Sequence, residues 1–150
     1  MNLEVPRRAY FRFSHNCRYR EEPVTIDGDI KDWSDDCKIP NLGGVEGETP
    51  FADVLMTWND DGLYFAVSVT NKKDFKINPK NYWLGDCLEL WIDTRDVKEA
   101  STANRFCHHF FFLPGGSGKN GKKPIGRQTA IERAREQAPP CPEESIAIGL

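Results

Sequence analysis

Several things are missing from this chain, and each absence narrows what it can be. Nowhere do about 20 apolar residues run together, so no stretch has the length of a membrane-spanning helix. The opening MNLEVPRRAYFRF holds no apolar core of signal-peptide length, so nothing in it directs export. Basic excess is absent too: 20 Lys and Arg stand against 23 Asp and Glu, a net charge of −3. A general binder of nucleic acid or acidic membranes needs a basic surface to neutralise phosphate, so neither partner is expected. The five cysteines (Cys17, Cys37, Cys87, Cys107 and Cys141) contain no CxxC pair, which is poor spacing for zinc. They are expected to be unpaired thiols of a reducing compartment. Cys87 and Cys107, on neighbouring predicted strands, are the pair to test first for a bridge. The string GGSGKNGKK lacks the spacing of a phosphate-binding loop, and no Ser-His-Asp order suggests a hydrolytic triad. What remains is a 150-residue chain, read as one domain that can bury its core without cysteine bridges.

The most informative stretch is residues 81–96, NYWLGDCLELWIDTRD. Leu88, Leu90 and Ile92 alternate with Cys87, Glu89, Trp91 and Asp93, the period-two pattern of a half-buried strand. The polar face of this strand carries Trp91 between two carboxylates, and Trp83 stands just before it in a turn containing Gly85. An indole beside an acid suits sugar recognition: the ring covers the apolar C–H face of a pyranose, and the acid accepts hydrogen bonds from its hydroxyls.

The rest of the chain reads as β-structure and loops. Residues 1–22 form an extension or leading edge strand in which Tyr10 and Arg12 oppose Phe11 and Phe13. Val24 and Ile26 suggest a short strand, Asp27-Gly28 a turn, and residues 30–33 a single helical turn placing Trp33 on the core. Asp27, Asp29, Asp32, Asp35 and Asp36 cluster here, either as turn and capping residues or as oxygen ligands for calcium, without EF-hand spacing. Residues 52–58 and 63–70 predict an antiparallel hairpin through Asn59-Asp60-Asp61-Gly62, the glycine supplying positive φ. Its inward face is read as Val54, Met56, Trp58, Leu63, Phe65, Val67 and Val69. Residues 106–113 are apolar on both faces and predict a central strand with His108 and His109 pointing opposite ways. Residues 114–128 read as a Gly/Lys-rich mobile loop, and residues 129–138 as a short helix. The fold class expected is all-β, an antiparallel β-sandwich of immunoglobulin or jelly-roll type with that one short helix.

Three segments, in order, resemble the family 9 carbohydrate-binding modules and the wider DOMON-like β-sandwiches. They are VTIDGDIKDW at residues 24–33, the hairpin with its WNDDGLY, and the strand ending in DCLELWID. The resemblance implies a sandwich spanning residues 23–150 that binds a β-linked glucan- or xylan-type oligosaccharide without catalysis, as an accessory to polysaccharide breakdown. In its terms Trp83 stacks on the sugar and Glu89 hydrogen-bonds hydroxyls. The family's next strand adds polar contacts, and Cys107 and His109 stand there in place of its Arg/Asn pair. Trp91 is the further candidate from the strand itself. Calcium at Asp27, Asp29 and Asp32 is implied, and no organic cofactor is expected. The family's second clamping tryptophan comes from later strands with no counterpart here, so the C-terminal strands are expected to be missing, leaving a sheet edge open to dimerisation. Location is undetermined: the thiols suit a cytoplasm, the family an exterior or periplasm.

Three other readings compete. Some DOMON-like relatives hold haem between a methionine and a histidine, for which Met56 and His108, read on successive strands, are the pair. A sandwich serving structure or protein interaction, without a sugar ligand, is the runner-up. A glycosidase is set aside: Glu89 and Asp93 stand four strand positions apart, roughly 13 Å between backbones, against the ~5–9.5 Å that hydrolases use.

Overall fold

The computed structural model describes residues 14–96 and 101–150. The chain divides into two compact units, Met1–Lys73 and Asp74–Leu150. The structure is β-rich: each unit holds one three-stranded sheet, and among the described residues there is no α-helix. The expected alternation of Tyr10, Phe11, Arg12 and Phe13 lies outside the described residues.

In the first unit β1 (Arg18–Tyr19) pairs with β2 (Ala52–Asn59), which pairs along its whole length with β3 (Gly62–Val69). The hairpin forms as its alternation predicts, with Asn59 opposite Gly62. Gly62 does not enter the left-handed region. The turn is instead closed by the Asn59 side chain, whose Oδ1 accepts the N–H groups of Asp61 and Gly62 at 3.0 and 3.2 Å. Two further expectations are corrected. β1 runs parallel to β2, and residues 24–26 form no strand. The better-buried face of the hairpin is the one with Leu55, Thr57 and Asn59, while Trp58, Leu63, Val67 and Val69 stay partly exposed. Burying Thr57 and Asn59 is tolerable because both are satisfied: the Thr57 hydroxyl donates to the Arg18 carbonyl at 2.8 Å, and Asn59 serves its own turn.

In the second unit β4 (Leu88–Asp93) and β6 (Lys123–Thr129) flank β5 (Cys107–Ser117), all antiparallel. β5 is central, as its two apolar faces predict. Residues 114–128 are not a mobile loop; they carry the end of β5 and nearly all of β6. Their glycines serve close packing. A Cβ at Gly115 or Gly116 would run into Ile77 and Pro79, and one at Gly126 into Ile146, Ile148 and Phe112. The helix expected over residues 129–138 is absent as well. Thr129 ends β6, and the side-chain amide of Gln137 takes both backbone groups of Ile131, accepting its N–H at 3.1 Å and donating to its carbonyl at 2.8 Å. Helical propensity loses to a loop so closed, with Pro139 and Pro140 barring any continuation.

Candidate functional site

The site is built on one face of the second sheet. Residues opposite each other in antiparallel strands share a face. Glu89 lies opposite Phe111, Trp91 opposite His109, and Asp93 opposite Cys107; beyond β5, Phe111 faces Arg127 and His109 faces Thr129. Leu88, Leu90 and Ile92 occupy the other face with His108, Phe110 and Phe112. So the alternation read for β4 holds, and His108 and His109 do point apart.

At the centre of this face His109 is buried, only 4% exposed. Trp91 lies flat on its imidazole, centroids 3.6 Å apart and planes 15° from parallel, and keeps its outer ring face in solvent at 58% exposure. The Glu89 carboxylate meets His109 Nε2 at 2.8 Å, its side chain about one-third exposed. One strand therefore presents an indole and a carboxylate that share a single buried imidazole as their support. A histidine held from above and from the side has little rotamer freedom left, and its two partners inherit that rigidity.

Trp83 comes from a 3-10 turn, Tyr82–Leu84, just ahead of β4. The turn is fixed at both ends. Tyr82 stacks on Phe111 at 4.2 Å and 2°, and its hydroxyl is within the influence of the Thr129 side chain. Gly85 lies so close to the 76–78 backbone that a Cβ would collide with the Lys76 carbonyl, and Asp86 ties down the same residue through two bonds, its N–H to Lys76 O at 2.7 Å and its carboxylate from Lys76 N–H at 2.6 Å. Trp83 packs edge-on against Tyr82 at 5.0 Å and is 59% exposed. Burial, and then the charge of Glu89, push the Tyr82 phenol above its usual value, with the Thr129 side chain pulling the other way. Burial, and then Glu89 and Asp86, likewise hold the Cys87 thiol protonated, so it is a poor nucleophile at neutral pH.

The expected site residues thus divide. Glu89, Trp91 and His109 share one face of the second sheet, and Trp83 stands in the turn ahead of β4, packed on Tyr82, which stacks on Phe111 of that face. Asp27, Asp29 and Asp32 lie in the first unit in local engagements: Asp27 accepts Asp29 N–H, Asp29 pairs with Lys31 at 3.2 Å, and Asp32 with Arg20 at 3.3 Å. Among the described residues no group of three His, Cys, Asp or Glu side chains is arranged to hold a metal. Met56 is on β2 in the first unit and His108 on β5 in the second, strands of different sheets. Cys87 and Cys107 stand at opposite ends of the β4–β5 ladder, and all five cysteines are free thiols. Sequence reasoning missed Tyr82, Phe111 and Thr129. Tyr82 beside Trp83, and Phe111 two residues on from His109, were visible signals; Thr129 was hidden by the helix assigned there.

No family model, no curated protein and no solved structure matches this chain. The functional reading rests on this face and on the motifs above.

Proposed function

We propose that the Trp83–Glu89–Trp91 face is a non-catalytic carbohydrate-binding surface, taking a β-linked glucan- or xylan-type oligosaccharide or its sugar end. The observation that carries this reading is the pair of half-exposed indoles beside a carboxylate anchored on buried His109. Each indole covers the C–H face of one pyranose, an aromatic contact on the order of 1 kcal/mol beyond the area buried. Glu89, oriented by His109 through Oε2, accepts from sugar hydroxyls with Oε1, which the Cys87 thiol meets at 4.0 Å. Each such hydroxyl bond is charge-assisted, about 1.5–3 kcal/mol. Such a site binds weakly and without bond cleavage. The reading carries with it the β-sandwich of the resembling family. The engagement of Glu89 by His109 also favours a second reading, in which the network serves only to stiffen a β-scaffold.

Titration with cellobiose, xylobiose and longer oligomers, followed by tryptophan fluorescence and calorimetry, separates the two. Saturable binding that Trp83→Ala and Trp91→Ala each weaken by about tenfold, one aromatic contact apiece, supports the sugar surface. Absence of heat and of spectral change with every oligomer leaves the scaffold.

A further inference from the structure

β3 occupies one edge of β2 from Ala52 to Asn59, so any other backbone paired with β2 must use the opposite edge. Two segments do. β1 runs parallel along it, Arg18 opposite Thr57 and Tyr19 opposite Trp58, with Arg20 N–H donating to Trp58 O at 2.9 Å. The segment after the 3-10 turn Asp35–Cys37 runs antiparallel, Lys38 opposite Leu55, with Ile39 N–H donating to Val54 O at 2.8 Å. One residue back along each segment leads to the same level, that of Met56. From one side the residue is Cys17, from the other Cys37. The two segments are also linked across the gap by Arg18 and Asp36, 3.7 Å apart.

Adjacent backbones delivering one cysteine each to one place is the juxtaposition a disulfide requires, Cα atoms about 4.4–6.8 Å apart. Both side chains are at least half-buried, Cys37 the deeper at 7% exposure. Burial first, and then the charge of Cys37, push the Cys17 thiol up from its usual value. Cys87, Cys107 and Cys141 belong to the second unit and have no such neighbour in the ladder.

We propose that Cys17 and Cys37 are a thiol–disulfide pair, oxidised by a small-molecule disulfide such as oxidised glutathione, whose bond staples β1 to the Asp35–Cys37 turn. The more accessible Cys17 loses its proton to solvent and attacks one sulfur of the oxidant, expelling one glutathione thiolate and leaving a mixed disulfide. Cys37, deprotonated in turn, attacks the Cys17 sulfur and expels the second glutathione. Two thiols are oxidised to one disulfide, and one glutathione disulfide is reduced to two thiols. Because the Cys17 thiolate is disfavoured, the exchange is slow at neutral pH and quickens as pH rises. The pair is independent of the sugar-binding face, which lies in the other unit.

The test is incubation of the full chain with oxidised glutathione, blocking of free thiols with N-ethylmaleimide, and peptide mapping by mass spectrometry. Expected is one cross-link, Cys17 to Cys37, reversed by dithiothreitol. Cys37→Ser stops at a glutathione adduct on Cys17, and Cys17→Ser leaves Cys37 unmodified. In the cross-linked protein, hydrogen exchange at the Arg20 amide slows on the order of a hundredfold, as expected for closing a loop of about 20 residues. Wild-type protein arrested at the glutathione adduct, Cys17 bridged to any other cysteine, both thiols still alkylated by maleimide, or unchanged exchange at Arg20 would each overturn the proposal.

Discussion

Replacing His109 with alanine removes the one side chain on which Trp91 and Glu89 both depend. Three losses follow. The flat stack with Trp91 at 3.6 Å goes, worth about 0.5–1.5 kcal/mol. So does the 2.8 Å bond to the carboxylate, nominally about 1.5–3 kcal/mol. Glu89 keeps about a third of its side chain in water and rehydrates, so the bond's share falls to roughly 1 kcal/mol. A ring that is only 4% exposed also leaves a void beneath Trp91, adding on the order of 1 kcal/mol where the indole cannot settle into it. The expected destabilisation is about 2–4 kcal/mol, a large part of the 5–15 kcal/mol of an ordinary domain. Urea unfolding followed by tryptophan fluorescence measures it. A cycle with Glu89→Gln should give a coupling energy of about 1 kcal/mol between positions 89 and 109. A His109→Ala loss under about 0.5 kcal/mol, no more than an ordinary surface substitution, would refute the claim that the imidazole supports the face.

Gly85→Ala drives a Cβ into the Lys76 carbonyl and should cost about 1–3 kcal/mol, with a shift in Trp83 emission as its turn is displaced; an unchanged unfolding midpoint would show that the 76–78 backbone yields freely. Gln137→Ala opens the loop that its amide closes on Ile131, and should lower stability by about 1 kcal/mol while accelerating exchange at the Ile131 amide; protection equal to wild type would count against the clamp. The Tyr82 phenol is raised above its ordinary 10.0, so the folded chain holds this proton more tightly than the unfolded one. The stability it contributes is complete below that value and is lost as pH rises through the raised folded one. Tyr82→Phe should therefore flatten the alkaline fall in the urea midpoint above about pH 10, and identical slopes in the two proteins would contradict the assignment.

Local alternation was enough to place β2, β3, β4 and the body of β5, because which residues share a strand face depends only on the two-residue repeat of the extended chain. It also put Glu89 and Trp91 on one face, and set His108 and His109 apart. Composition misled where partners far along the chain decided the outcome. Lys123–Thr129 reads as loop, yet it becomes β6 because β5 offers it a ladder and the segment with Ile146 and Ile148 needs Gly126 beneath it. Residues 129–138 read as helix until Gln137 reaches back to Ile131. The hairpin shows the same limit: pattern pairs its faces correctly but cannot say which one the rest of the chain covers, and hydrogen bonds to Thr57 and within Asn59's turn let the more polar face be the buried one. What only the tertiary structure decided is register. The alignment of β4 with β5 sets Trp91 opposite His109 and brings Glu89 within 2.8 Å of a residue twenty positions away; the two segments along the outer edge of β2 bring Cys17 to Cys37. A strand's sequence states which side chains share a face, and hydrogen bonding to its neighbour states which of them meet.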